Sequence, residues 1–326
     1  MATPAFACIR QGYPRSRLIA VIRGYVKKVI EDAPWFDGIV QADDKTLPGF
    51  YQLVGRIRRL DSQMAIVFPN SLRAVLTARL AGARKVYGYR RNGRDVFLSG
   101  GPLPRRQARR VVPEPMTAYY LGICRWLGLS VDTQKKPRLH VSGSLAQKGR
   151  KLLERYGIRD EDMLIGLNPG ARFGSSKCWP PEHFARLADL LTQRWNCKLL
   201  LFIGPGEEPI ANAIVGLSRV EIINTATEHV DLAVLKPLIQ RCRLLVTNDT
   251  GPRHYAVAFD VPVVVIMGPT DPRYTDSNLE KTIVLRREMD CSPCHLKKCP
   301  RDHSCMTEIT PEAVLHAGEK LLQEQA

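Results

Sequence analysis

A chain of 326 residues, 44% of them hydrophobic, is long enough to fill two α/β cores and too apolar to be a disordered polymer. Nine cysteines, an odd number with five scattered singly (Cys8, Cys124, Cys178, Cys197 and Cys242), argue against a disulfide framework. The 48 Lys and Arg exceed the 32 Asp and Glu to give a net charge of +16, which favours an acidic partner (nucleic acid, anionic lipid or a phosphorylated substrate) unless the host's proteins are basic in general.

Met1–Leu18 lacks the apolar core of a signal peptide, and no window is long and apolar enough for a membrane span, so a cytoplasmic protein is expected. In chain order, Leu18–Ile22 reads as a strand, Gly38–Gln41 as a shorter one and Met64–Phe68 as another. Ser71–Ala81 reads as a helix with Leu72, Val75, Leu76 and Leu80 on one face. Gly100–Pro115 holds Pro102, Pro104, Pro113 and Pro115 and reads as a surface loop. Its basic run, Arg105 to Arg110, has no interleaved aromatics. No nucleic-acid-binding signature accompanies the charge, so nucleic acid is not expected as a partner. Pro115–Leu129 reads as a helix, and the polar stretch Gln134–Arg150 as the junction between domains.

The second half alternates more clearly. Strands are predicted at Met163–Leu167, Lys198–Gly204, Leu244–Thr247 and Val261–Met267. Helices are predicted at Pro181–Trp195 (Phe184, Leu187, Leu190 and Leu191 inward), Asp231–Cys242 and Gly251–Phe259. A last helix runs from the Thr310 N-cap to about Gln323. Strands alternating with helices imply an α/β fold with a parallel sheet.

Ligands in such sheets bind at the carboxyl ends of the strands. The loop Asn168–Pro180 carries Gly170, Gly174, Ser175, Ser176 and Lys177. Glycines let backbone approach a ligand, and the serines and lysine are donors for phosphate oxygens. The alternative is an ordinary βα loop with a solvated lysine. The second strand end, Asn248–His254, opens a helix at Thr250 and Gly251, a ready anion site. There Asp249 faces sugar hydroxyls and His254 lies one turn on, or else Asp249 and Thr250 merely cap the helix. Gly268–Pro272 is either a third ligand-facing turn or a turn alone. Glu207 and Glu208 read equally as ribose contacts or as a solvated loop. Trp35 and Phe36 read as a hydrophobic staple or as a contact for acceptor lipid.

These segments resemble the heptosyltransferases of glycosyltransferase family 9. The residues that carry the resemblance are Pro169–Pro180, Asn248–Ala256 and Pro262–Pro272, with Phe68–Ser71 and Ala81–Arg90 in the first half. The form of the first loop points to the heptosyltransferase II branch. The resemblance implies a GT-B fold: two Rossmann-like domains facing across a cleft. Residues 1–140 would bind the acceptor and 141–310 the nucleotide sugar, with a C-terminal helix, 311–326, packing back toward the first domain. It implies ADP-heptose as donor, a lipopolysaccharide inner-core heptose at the inner membrane surface as acceptor, inversion at the anomeric carbon and no required metal. Gly170, Ser175, Ser176, Lys177, Asp249, Thr250, Gly251 and His254 would bind the donor, and Lys177 would stabilise the leaving group. Family members open with a strand and a Gly-Asp turn whose Asp is thought to be the general base. Here that strand is missing, and Met1–Ala5 matches the end of the turn. The base is therefore expected upstream of Met1; Asp37, Asp43 and Asp44 are nearby in sequence only.

Cys291, Cys294, Cys299 and Cys305 cluster in one stretch. The first pair has zinc-knuckle spacing, but a usual ribbon has two such pairs. A structural zinc and a set of reduced thiols bracing a loop both stand. Rival readings of the chain are a family 9 transferase for another sugar or acceptor, and a non-catalytic nucleotide-sugar-binding protein that lacks the base.

Overall fold

The computed structural model describes residues 1–108, 110–131, 136–228 and 230–324. They divide into two compact units: residues 1–137 with 273–277, and residues 138–272 with 278–326. The expected junction begins at Gln134 and Lys135, which lie outside the described residues, as do Arg109 of the proline-rich loop and the last two residues of the 311–326 segment. Ser142, expected in the junction, directly precedes a helix.

In the first unit, α1 (Thr3–Gly12) precedes β1 (Ile19–Ile22), α2 (Gly24–Ile30), β2 (Gly38–Gln41) and α3 (Leu47–Arg58). Next come β3 (Met64–Val67), α4 (Leu72–Leu80) and β4 (Lys85–Gly88). β1 pairs parallel with β2, and β3 with β4. The Phe6 ring of α1 meets Trp35, Phe36 and Phe68 at 5.9, 5.2 and 5.4 Å. Trp35 is 5% exposed, so of its two readings the structure takes the packing one. Helix α4 starts as expected, with Ser71 accepting from the Ala74 amide at 3.3 Å. Its buried face differs from the expected one: Val75 and Ala78 are buried, whereas Leu72 and Leu80 are exposed. The proline-rich segment is not wholly loop, because β5 (Arg106–Gln107) and β6 (Arg110–Val111) pair antiparallel within it. Helix α5 (Met116–Trp126) then packs on α1.

The second unit runs α6 (Gly143–Arg155), β7 (Met163–Asn168), α7 (Pro181–Arg194), β8 (Cys197–Leu201), α8 (Glu208–Leu217), β9 (Ile223–Asn224) and α9 (Leu235–Arg241). It continues with β10 (Leu244–Asn248), α10 (Gly251–Ala258), β11 (Val263–Met267), β12 (Thr282–Arg286), α11 (Ser304–Thr307) and α12 (Pro311–Gln323). All six strands are parallel, in the order β12-β11-β10-β7-β8-β9. β10 and β11 are buried along their whole length, as expected where helices cover both faces of a parallel sheet. Alternate residues Ile165, Leu167, Leu199, Leu201, Val246 and Ile266 share one core with Phe184, Leu187 and Leu191 of α7 and Val314 and Leu321 of α12. That places α12 within the second unit, against α7 and the sheet. Trp179 is fully buried, and its indole N–H donates to the Ile309 carbonyl at 2.8 Å, tying the start of α7 to the start of α12.

Candidate functional site

Winding along the second sheet reverses between β7 and β10, which lie side by side with Asn168 opposite Thr247. Where the winding reverses, successive βα loops turn away from each other and open a crevice at the carboxyl ends of the strands. Both sequence-predicted loops leave from this point. Two asparagines, one ending each strand, join them. Asn168 Nδ2 donates to Thr247 and Thr250 hydroxyls at 3.0 Å each. Asn248 Nδ2 donates to the Pro169 carbonyl at 2.6 Å, and its Oδ1 accepts from the Trp179 amide at 3.1 Å.

Lys177 stands at the end of a single 3-10 turn. Its Nζ donates to the Asp249 carboxylate and to the Asp249 carbonyl, 2.8 Å each, and lies 5.2 Å from the centre of the Phe173 ring. It is therefore not a solvated loop lysine. Asp249 is buried. Oδ2 also accepts from the Thr270 hydroxyl and Oδ1 from Arg253, both at 2.7 Å. Burial by itself raises a carboxyl pKa. Here the charges of Lys177 and Arg253, with the hydrogen bonds from Lys177 and Thr270, outweigh it and hold Asp249 well below the usual carboxylate range. With so many donors, Asp249 is spent on the protein's own cations, which departs from the expectation that it faces sugar hydroxyls.

Thr250 occupies the N-cap position of α10, yet its side chain makes no cap bond and accepts from Asn168 instead. The capping alternative fails at this residue. Gly251 is exposed at the helix start, so the amide end of the dipole stays open to an anion. His254, next after Arg253, is half-buried.

The expected serine pair is split. Ser175 is exposed, but Ser176 is buried and donates its hydroxyl to the Leu296 carbonyl at 2.5 Å. It is thus a structural residue and not a free donor for phosphate. Gly174 has φ +152°, and a Cβ there would lie 2.2 Å from the Lys297 carbonyl oxygen; this glycine admits the cysteine-rich segment. The same segment binds the Ser176 amide through Lys297 O (3.2 Å) and the Ser176 carbonyl through His303 Nε2 (2.8 Å). On its other side, the Ser292 hydroxyl donates to Gly268 O at 2.7 Å, and the His295 amide to Pro269 O at 2.9 Å. The cysteine-rich segment therefore clamps the loop after β7 to the turn after β11. Among the described residues, no three His, Cys, Asp or Glu side chains are grouped to hold a metal ion. The zinc reading of Cys291, Cys294, Cys299 and Cys305 therefore finds no support; the four form no disulfide, and the segment that carries them braces the loop. Burial, followed by the neighbouring thiols, pushes the Cys305 thiol up to about 11.

Glu207, left open as ribose contact or solvated loop, is half-buried at the N-cap of α8, past the end of β8. Its carboxylate accepts from the Gly204 amide at 2.8 Å and fills the space beside Gly170, where a Cβ would lie 1.8 Å from Oε2. Burial raises its pKa, against the lowering by the Gly204 amide, and the Glu208 charge adds to the rise. In the first unit, Asp37 is engaged by Arg10 (2.5 Å) and the Leu18 amide (2.7 Å), and Asp44 by Arg73 at 3.2 Å. Neither carboxylate has the free geometry of a base.

The sequence reading missed Arg253 as part of the site, although it lies four residues after Asp249 at the opening of a helix. Thr270 belongs to the Gly268–Pro272 turn, which the sequence left open as ligand-facing or a turn alone; the β10–β11 pairing brings its hydroxyl to Asp249.

Residues 50–304 match the family described as glycosyltransferase family 9 (heptosyltransferase). The lipooligosaccharide heptosyltransferase 2 of Campylobacter jejuni is 32% identical over 173 residues, 51% of this chain and 53% of that one. The lipopolysaccharide heptosyltransferase 2 of Escherichia coli K12 is 30% identical over 280 residues, covering 80% of this chain and 76% of that one. A solved structure, the E. coli ADP-heptose lipopolysaccharide heptosyltransferase II, superposes with a TM-score of 0.79 at 25% identity, covering 100% of this chain and 95% of that one.

Proposed function

The chain belongs to glycosyltransferase family 9, an α/β enzyme of GT-B class, and we propose that it transfers heptose from ADP-heptose to the inner core of lipopolysaccharide. The observation that carries this reading is the Lys177–Asp249 pair beside the open start of α10, at the point where the sheet reverses. In this reading the second unit binds the donor and the first unit the acceptor. The diphosphate lies against Lys177 and the Gly251 amide end of α10, with Ser175 at its exposed flank. An ammonium has three donors; Asp249 takes two and fixes the direction of the third.

The reaction is one displacement. The acceptor hydroxyl oxygen forms a bond to the anomeric carbon as the bond to the diphosphate oxygen breaks from the opposite face, giving inversion. The hydroxyl proton passes to a base other than Asp37 or Asp44, whose carboxylates are engaged. Negative charge grows on the departing ADP, where a preorganised cation and helix dipole lower the barrier without reorganising. No step uses a metal. An acceptor carried by a lipid also gives the enzyme a reason to work at the inner membrane surface from the cytoplasmic side; no helix among the described residues is long and apolar enough to cross a membrane.

The test is calorimetry with ADP-heptose and initial rates on a heptose-terminated core acceptor, for the parent and for Lys177→Ala and Lys177→Arg. Binding by the parent, with turnover lowered about 100-fold or more in Lys177→Ala, is the expected result. Lys177→Arg should recover little, because a planar fork does not reproduce a compact ammonium held by one residue's carboxylate and carbonyl. If the parent ignored ADP-heptose but bound another nucleotide sugar, the heptose assignment would fail.

A further inference from the structure

The Ser176 carbonyl accepts from His303 Nε2 at 2.8 Å. A carbonyl can only accept, so Nε2 carries the proton. Ser176 is buried, and a buried peptide oxygen needs a donor. Its own loop does not supply one. The Trp179 amide, three residues on, donates to Asn248, and Pro180, four residues on, has no N–H. The donor comes instead from across the sequence.

That bond bears on Lys177 through the peptide plane that joins the two residues. His303 holds the oxygen of this plane, and its N–H, that of Lys177, donates to the Gly174 carbonyl at 3.2 Å. The next plane is held as well, since the Cys178 amide donates to the Ser175 carbonyl at 3.0 Å. Peptide groups are rigid. Pinning the two planes that flank a Cα therefore fixes its φ and ψ, and with them the direction of its Cα–Cβ bond. The Lys177 side chain leaves along that direction, and Asp249 receives its Nζ at 2.8 Å on both carboxylate and carbonyl.

His303 is itself firmly placed. Its φ of +64° lies in the left-handed region, which disfavours residues that carry a Cβ. Its carbonyl accepts the Met306 and Thr307 amides at 2.9 and 3.2 Å, so α11 locks it there. Cys305 and Met306 of that helix are buried in the same core as Trp179, two residues beyond Lys177. Glycine would take this backbone without strain; what the histidine adds is its ring and the bond to Ser176.

We infer that His303 is a positioning residue for Lys177: by holding the Ser176 carbonyl it sets the peptide plane from which the ammonium is aimed at the departing diphosphate. The inference rests on the heptosyltransferase reading, in which Lys177 stabilises that group.

The test compares the parent, His303→Gly, His303→Gln, Lys177→Ala and the double variant His303→Gly/Lys177→Ala. Initial rates with ADP-heptose, ADP affinity by calorimetry and thermal unfolding are measured for each. His303→Gly loses the ring but relieves the left-handed backbone, so its unfolding midpoint should stay within about 4 °C of the parent's. A displaced ammonium misses the charge that grows in the transition state. Its kcat should therefore fall about 100-fold, with a smaller change in donor KM. His303→Gln offers an amide N–H as many bonds from the backbone as Nε2 and should recover most of the loss. In the Lys177→Ala background, His303→Gly should cost nothing more, because no ammonium is left to aim. ADP affinity should show the same non-additivity. Parent-like turnover in His303→Gly, a loss that His303→Gln does not recover, a loss that adds in full to that of Lys177→Ala, or a midpoint well below the parent's in both His303 variants would each overturn the inference. A parent that binds ADP but turns over no ADP-heptose would sink the heptose assignment alone. The ADP cycle then decides: non-additive losses keep His303 as a positioning residue, and additive losses end that role. No ADP binding by the parent would end both readings.

Discussion

Asp249 Oδ1 and Arg253 Nη1 lie 2.7 Å apart, both residues buried, one turn apart at the opening of α10. Removing one partner of such a pair leaves the other as an uncompensated buried charge and costs about 3–5 kcal/mol. Asp249→Ala should therefore lower stability by that order, measured by urea unfolding. Adding Arg253→Met should restore part of the loss, because the buried cation that faced the carboxylate is gone. Additive losses in the double variant would mean that Arg253 does not depend on Asp249.

The same carboxylate sets a pH dependence. Its folded-state pKa lies below the ordinary carboxylate value, so its stabilising contribution is full above about 3.9 and fades as pH falls from there through the depressed folded value. The stability gap between the parent and Asp249→Asn, read from denaturant midpoints, should stay flat from pH 8 to about 5 and narrow only below about 4. A gap that changed between pH 5 and 8 would assign the cluster's charge to another group.

The second unit was the more legible in sequence because its strands are buried on both faces. Runs such as Leu244–Thr247 and Val263–Met267 have no other use than a covered parallel sheet. The two site loops were legible as well, since glycine, lysine and a strand-ending Asp-Thr-Gly are local patterns. Partnership was not. Ser176 and Ser175 look alike in sequence, and only the docking of residues 296 and 297 makes one structural and leaves the other exposed. Helix α4 shows the limit of periodicity: Leu72 and Leu80 lie at its two ends, where the neighbouring layer no longer covers them. The hairpin within the proline-rich segment escaped notice because two-residue strands carry no period.

Gly174 tests the clamp made by the cysteine-rich segment. Its φ of +152° is open to glycine and strained for other residues, and a Cβ would run into the Lys297 carbonyl, which cannot swing away as a side-chain tip does. Gly174→Ala should cost roughly 2 kcal/mol or more from backbone strain and lost docking. It should also raise the KM for the donor, because the loop ending in Lys177 loses its brace. Ser176→Ala removes one hydrogen bond from the same contact and should cost only about 1 kcal/mol. Thermal unfolding and donor titration of both variants check the order; a Ser176→Ala defect larger than that of Gly174→Ala would contradict it.

Glu207 and Gly170 form the last coupled pair. A methyl group on Gly170 must displace the Glu207 carboxylate and break its bond to the Gly204 amide, a loss of about 1–2 kcal/mol. Glu207→Ala already forfeits that bond, so Gly170→Ala should cost much less in its presence, with a coupling of about 1 kcal/mol in the double-mutant cycle. Charge enters separately. Burial raises the Glu207 pKa, so the folded state holds this proton more tightly than the unfolded chain, and the penalty of ionising it grows as pH rises from the ordinary value through the folded one. Glu207→Gln keeps an oxygen for the Gly204 amide and removes the charge. Relative to the parent, it should therefore gain stability between pH 4 and 7, measured by denaturant midpoints at each pH. Equal gaps at both ends of that range would show that the carboxylate is as well solvated in the fold as in the open chain, and the site would then lose its buried acid beside Gly170.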